Sequence, residues 1–152
     1  MTAKVNLPTA APDVMKVWTG AALAIAASLE PSLIELVKIR ASQINGCANC
    51  INMHTTEARS QGETEQRIYL LSAWREAPCY TERERAALGW TEALTLVSET
   101  HAPDDAYEAL RQHFTEDEQV KLTLLIAQVN AWNRIKIGFR AVHPAEEKKA
   151  AA

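Results

Sequence analysis

Apolar residues recur at helical intervals along nearly the whole chain, and no segment alternates apolar and polar residues with turn chemistry on both sides. The pattern predicts an all-α fold of six to seven helices. Residues 1–11 are polar and proline-bearing and read as an irregular arm. A first helix starts near Pro12-Asp13, where proline suits the first turn and an acid complements the dipole, and runs to about Leu29. Its second half, GAALAIAASL, is apolar nearly all round, so it must be buried inside the domain or against another subunit. A domain of this size has little room for such a helix, which points to an oligomer.

The second helix spans about Leu33 to Ile44 and places Glu35 among Leu33, Ile34, Leu36, Val37 and Ile39. Asn45-Gly46 breaks the chain, and a third helix follows to a C-cap near Gly62. A fourth covers about Glu63 to Glu76 with Ile68, Leu71 and Trp74 inward. After the turn Pro78-Cys79-Tyr80, the capping box Thr81-Glu82-Arg83-Glu84 launches a fifth helix through Leu88, Leu94 and Val97. His101-Ala102-Pro103 ends that unit, and Asp104-Asp105 starts a short sixth helix to about His113. A second capping box, Thr115-Glu116-Asp117-Glu118, opens a seventh through Leu122, Leu125, Ile126, Val129 and Trp132. The charged, alanine-ended tail, 144–152, reads as frayed.

Composition narrows the class. The 152 residues fit one domain with a real core, and 47% hydrophobic with 23% charged residues is ordinary for a globular protein. A net charge of −3 without a basic cluster predicts no nucleic-acid partner. The longest apolar run, Ala21 to Leu29, is too short to span a bilayer and poorly placed for a signal peptide, so a cytoplasmic protein without membrane contact is expected. Three cysteines do not suggest a disulfide framework. The chain has no G-x-G-x-x-G, and C-A-N-C-I lacks the histidine of a haem-attachment motif, so no cofactor is expected.

The chemistry concentrates in INGCANCINMHTTEARS, residues 44–60. With a helix starting at Asn45-Gly46, Cys47, Cys50 and His54 fall at i, i+3 and i+7 on one face. Two thiols and an imidazole so placed form a reactive site, a metal site or a coincidence. A thiolate is favoured at a helix N-terminus, and a second thiol one turn away can close a sulfenic acid into a disulfide. The bland alternative is a pair of small hydrophobes in a buried helix start. His54 can take a proton from a thiol one turn behind it. Glu35 among apolar neighbours reads as partly buried, which would raise its pKa and demand a partner; a neighbouring helix bearing His54 could supply it.

Glu35, eleven residues, then Cys47-x-x-Cys50-x-x-x-His54 resembles the AhpD-like alkylhydroperoxidases of the carboxymuconolactone decarboxylase superfamily. The resemblance is specific over residues 31–72 and rests elsewhere on helical layout. It implies a single-domain helical bundle assembling as trimers or hexamers, and a peroxidase that reduces organic hydroperoxides with electrons from a dithiol, such as a lipoylated protein. It also implies Cys50 as the attacking thiolate, Cys47 as its resolving partner, and Glu35 and His54 as the proton relay; helix position alone favours Cys47 at least equally. The best-known members carry a histidine immediately before the second cysteine, where this chain has Asn49, an accessory position that cannot shuttle protons. Two other functions compete: lyase chemistry of the kind that names the superfamily, and a zinc-binding or redox-sensing module using Cys47, Cys50, His54 and Glu35. Cys79 reads as a lone structural or surface thiol. His101 and His113 read as helix-end residues, and Trp18, Trp74, Trp90 and Trp132 as core or interface.

Overall fold

The structure, a computed structural model, describes residues 3–143. In chain order the α-helices are α1 (Leu7–Ala10), α2 (Pro12–Ala26), α3 (Pro31–Asn45), α4 (Ala48–Ser60), α5 (Glu65–Leu70), α6 (Glu82–Thr95), α7 (Val97–Thr100), α8 (Asp104–His113) and α9 (Glu116–Gly138). A 3₁₀ turn, Leu71–Ala73, follows α5. No strand occurs among the described residues. α1 and α7 are single turns, which leaves the seven longer helices that periodicity predicts.

Helix α3 is the axis of the bundle. Leu33, Ile34 and Val37 pack with Ala87 and Trp90 of α6, Leu110 of α8 and Leu122, Leu125 and Ile126 of α9. The opposite side, Leu36 and Ile39, packs on Ala58 of α4 and on Ile68, Leu71, Trp74 and Tyr80. Cover on both sides explains why apolar residues crowd the whole circumference of α3, and it carries Glu35 into the interior. Both capping boxes form: Thr81 and Thr115 accept from the backbones of Glu84 and Glu118, whose carboxylates reach back.

Several boundaries move, each for a local reason. The arm is not wholly irregular, because Asn6 caps the turn α1 by accepting from the Thr9 N–H. Helix α2 stops at Ala26 rather than Leu29; Ser28 turns back to donate to the Ile25 carbonyl at 2.6 Å. The fourth predicted helix is interrupted: it begins after the Thr64 cap and tightens into the 3₁₀ turn at Leu71. Ile68, Leu71 and Trp74 nevertheless point inward as expected. Helix α6 ends at Thr95 instead of running through Val97, which opens α7 and is exposed. His101 terminates α7 in the left-handed region with φ 54°, whereas His113 sits in the last turn of α8. The tail expected to fray, 144–152, lies outside the described residues.

No residue of α2 is buried within the chain. Trp18 leans on Trp132 of α9 with ring centroids 5.9 Å apart, while Val14, Val17 and Leu23 of α2 are 68–75% exposed. Of the two destinations expected for this helix, burial inside the domain is excluded. No helix among the described residues is long and apolar enough to cross a membrane.

Glu92 ties three segments together, accepting from Arg40 Nε and Trp74 Nε1, both at 2.8 Å, and pairing with Arg75. Burial pushes its carboxyl up, but hydrogen bonds from Trp74, Arg75 and Arg40 outweigh burial and hold it below the ordinary value of 4.5. Glu63, clamped by Arg67 at 2.9 Å, shifts the same way against the same burial penalty. A depressed folded pKa gives stability that is complete above the unfolded value and lost as pH falls through the folded one. The urea midpoint should therefore hold steady near neutrality and drop once pH passes below 4.5, with a smaller drop in Glu92→Gln. A flat midpoint across that range would contradict these ion pairs.

Candidate active site

Gly46 takes the left-handed conformation, φ 68°, that closes α3 and turns the chain into α4. Cys47 is the N-cap of α4 rather than a residue of its first turn, and its Sγ accepts from the Cys50 N–H at 3.3 Å. Cys47 and Cys50 form a disulfide with their Cα atoms 5.3 Å apart, so the structure holds the oxidised pair. Both are buried, at 1% and 2% exposure. In this state the sulfurs are bonded to each other and offer no thiolate to the four-ligand zinc set of the sequence reading.

A polar network behind the turn fixes where Cys47 lies. Asn45, two residues upstream, donates to Asn130 Oδ1 at 2.9 Å and to Asn133 Oδ1 at 2.8 Å, both on α9. Asn133, fully buried, donates to Ser42 Oγ, and Asn130 donates to Thr95 Oγ1, each at 3.0 Å. Removing one amide leaves buried polar groups without partners. Asn133→Ala is expected to lower stability by about 1–3 kcal/mol in chemical denaturation. An unchanged midpoint would mean that the network does not anchor the turn.

One helical turn beyond Cys50, His54 projects from the same side of α4 and meets Glu35 across the α3–α4 interface. His54 Nδ1 and Glu35 Oε2 are 3.1 Å apart, with the residues 7% and 3% exposed. Lys38, one turn along α3, donates to the other oxygen, Oε1, at 2.8 Å. Burial pushes the Glu35 carboxyl up, as the sequence suggests. Hydrogen bonds from His54 and Lys38, with the Lys38 charge, outweigh it and hold the carboxyl below its ordinary value. The expected rise is thus reversed, and the deprotonated carboxylate makes Nδ1 the donor. Nε2 is then the ring nitrogen left to accept a proton.

Cys47 and Cys50 are joined to each other and Glu35 to His54, and the two pairs meet α4 one helical turn apart. Asn49, half-buried between the cysteines, donates from Nδ2 to the Val142 carbonyl at 3.0 Å and holds the segment after α9 against the start of α4. Lys38 went unnoticed although its i, i+3 spacing from Glu35 was visible; the asparagine network had no local signal. Cys79 is a half-buried free thiol beyond α5, and its carbonyl accepts from Arg67.

Residues 12–93, which include all four of these side chains, match the carboxymuconolactone decarboxylase family. The chain belongs to that family. It is 51% identical over 110 residues to the uncharacterized protein YdfG of Bacillus subtilis, covering 72% of this chain and 75% of that one. A family-type fold is shared with a solved Agrobacterium tumefaciens protein of unknown function, suggested to be the antioxidant defence protein AhpD: TM-score 0.92, 49% identity, 95% of this chain and 100% of that one. The debrominase Bmp8 shares the fold alone, at TM-score 0.78 and 19% identity over 88% of this chain and 73% of that one. This carboxymuconolactone decarboxylase family chain is therefore an AhpD-like helical bundle carrying a C-x-x-C pair, features that fit a role in antioxidant defence.

Proposed function

We propose that the protein is a thiol-dependent peroxidase that reduces organic hydroperoxides through Cys47 and Cys50. The observation that carries the reading is the Glu35–His54 hydrogen bond at 3.1 Å, buried one turn from a cysteine pair able to form a disulfide. In the reduced enzyme His54 Nε2 takes the Cys50 proton while Glu35 orients the ring and stabilises the imidazolium. The Cys50 thiolate attacks the terminal peroxide oxygen, the O–O bond breaks, and the alkoxide leaves as alcohol with the proton from His54. Cys50 is then a sulfenic acid. Cys47 attacks its sulfur, water leaves, and the disulfide seen here results. A dithiol donor restores both thiols by exchange and becomes a disulfide itself.

A lipoylated protein is the partner proposed for that step. A trimer or hexamer is proposed on the exposed Val14, Val17 and Leu23 of α2, and the cytoplasm as the compartment keeping the pair reducible. Lyase chemistry of the kind that names the family needs no disulfide, so the pair favours the redox reading. The test is consumption of an organic hydroperoxide with dihydrolipoamide as reductant. Catalytic turnover is expected; folded, fully reduced protein that leaves the peroxide intact would contradict the reading with this donor.

A further inference from the structure

Glu35 and His54 have a third neighbour that the peroxidase chemistry does not use. Glu57 lies three residues beyond His54 on α4, and its carboxylate reaches the surface. One ligand atom from each of Glu35, His54 and Glu57 falls within 4.8 Å of the others. We infer that Glu35, His54 and Glu57 form a binding site for a divalent transition-metal ion, with Zn²⁺ as the probe, overlapping the proton relay and independent of both thiols.

The donor set suits such an ion. An imidazole with two carboxylates matches Zn²⁺ better than Mg²⁺, which prefers an all-oxygen octahedron. For the buried pair the separation is close to what is needed: two ligands about 2.05 Å from a tetrahedral zinc lie about 3.3 Å apart, against 3.1 Å between His54 Nδ1 and Glu35 Oε2, and the exposed Glu57, within 4.8 Å, closes in by turning its side chain. Lys38 engages only Oε1 and leaves Oε2 to the metal. Lys38 pairs with Glu35, and Glu57 brings a second carboxylate to the cluster. Glu57 stands exposed at the surface, so a cation meets the cluster from that side.

Zinc at Nδ1 would have a chemical consequence. A neutral imidazole carries one proton, and metal on Nδ1 moves it to Nε2. The nitrogen that accepts the thiol proton is then blocked, so Zn²⁺ should inhibit peroxide reduction without touching a sulfur. The inhibition arm rests on the peroxidase reading; the binding arm does not.

The test is calorimetric titration of Zn²⁺ into the untagged disulfide form carrying Cys79→Ser, in which no free thiol remains. One zinc per chain is expected, with Mg²⁺ giving no competition. Glu57→Gln in that background should weaken zinc by about tenfold to a hundredfold, at least what losing an outer partner of a metal ligand costs. Without zinc, Glu57→Gln should turn over peroxide like the parent and resist inhibition when zinc is added. No zinc bound by the oxidised protein, or equal affinity in Glu57→Gln, would overturn the site. Binding that depends on Glu57 in a protein without peroxidase activity would keep the site and reject the function.

Discussion

Cys50→Ser is expected to consume no organic hydroperoxide, and Cys47→Ser to consume a single equivalent per chain and then stop. The difference follows from the order of bond-making. Without the Cys50 sulfur there is no nucleophile one turn from His54. Without Cys47 the first oxygen transfer still occurs, but the sulfenic acid has no neighbouring thiol to close on. Cys47 has its own claim to attack, because it caps α4 and its sulfur accepts the Cys50 N–H at 3.3 Å, a contact that favours a thiolate. Trapping the sulfenic acid in each variant decides between them. A trapped species on Cys50 in Cys47→Ser supports the proposed order, and one on Cys47 in Cys50→Ser reverses the roles while keeping the pair. Both variants should fold, since serine is close to cysteine in volume; circular dichroism checks this.

Glu35→Gln is expected to slow turnover by about 10²–10⁴-fold, the range associated with general acid–base catalysis, because His54 loses the carboxylate that orients it and stabilises its charged form. The amide still fills the pocket between α3 and α4 but cannot stabilise a charged His54, and it leaves Lys38 without its carboxylate. Turnover of the variant should recover as pH rises and solvent base removes the thiol proton instead. That pH dependence separates a relay defect from a packing defect, which would depress the rate at every pH. Near-normal turnover at neutral pH would show that the relay assignment is wrong even with the cysteines correct.

What could be read in the sequence was mostly what is local in the chain. The Thr81 and Thr115 capping boxes operate over three residues, and both formed where their motifs stand. The position of His54 one turn after Cys50 needed only a helix there. Its contact with Glu35 crosses 19 residues, and it was reached by asking what could partner a carboxylate on an apolar helix. The sign of the Glu35 shift was misread because burial was counted without Lys38, one turn along the same helix, whose hydrogen bond and charge act with His54 to reverse it. The Asn45, Asn130 and Asn133 network joins residues 85 and 88 positions apart, and no pattern in the chain announces it. Val97 was included in the fifth helix by continuing the α6 period past Leu96, where the helix has already broken. Helix α2 was the reverse case: its apolar second half led to an expectation of burial, and no residue of α2 is buried within the chain.

The most direct test of the central claim is a single-turnover titration. Fully reduced protein is mixed with one equivalent of an organic hydroperoxide, and the alcohol formed is counted against the thiols lost and the Cys47–Cys50 disulfide found by mass spectrometry. The account predicts alcohol and disulfide in equal amounts, with Cys79 still reduced. Peroxide that survives in the presence of free Cys47 and Cys50 thiols would contradict it.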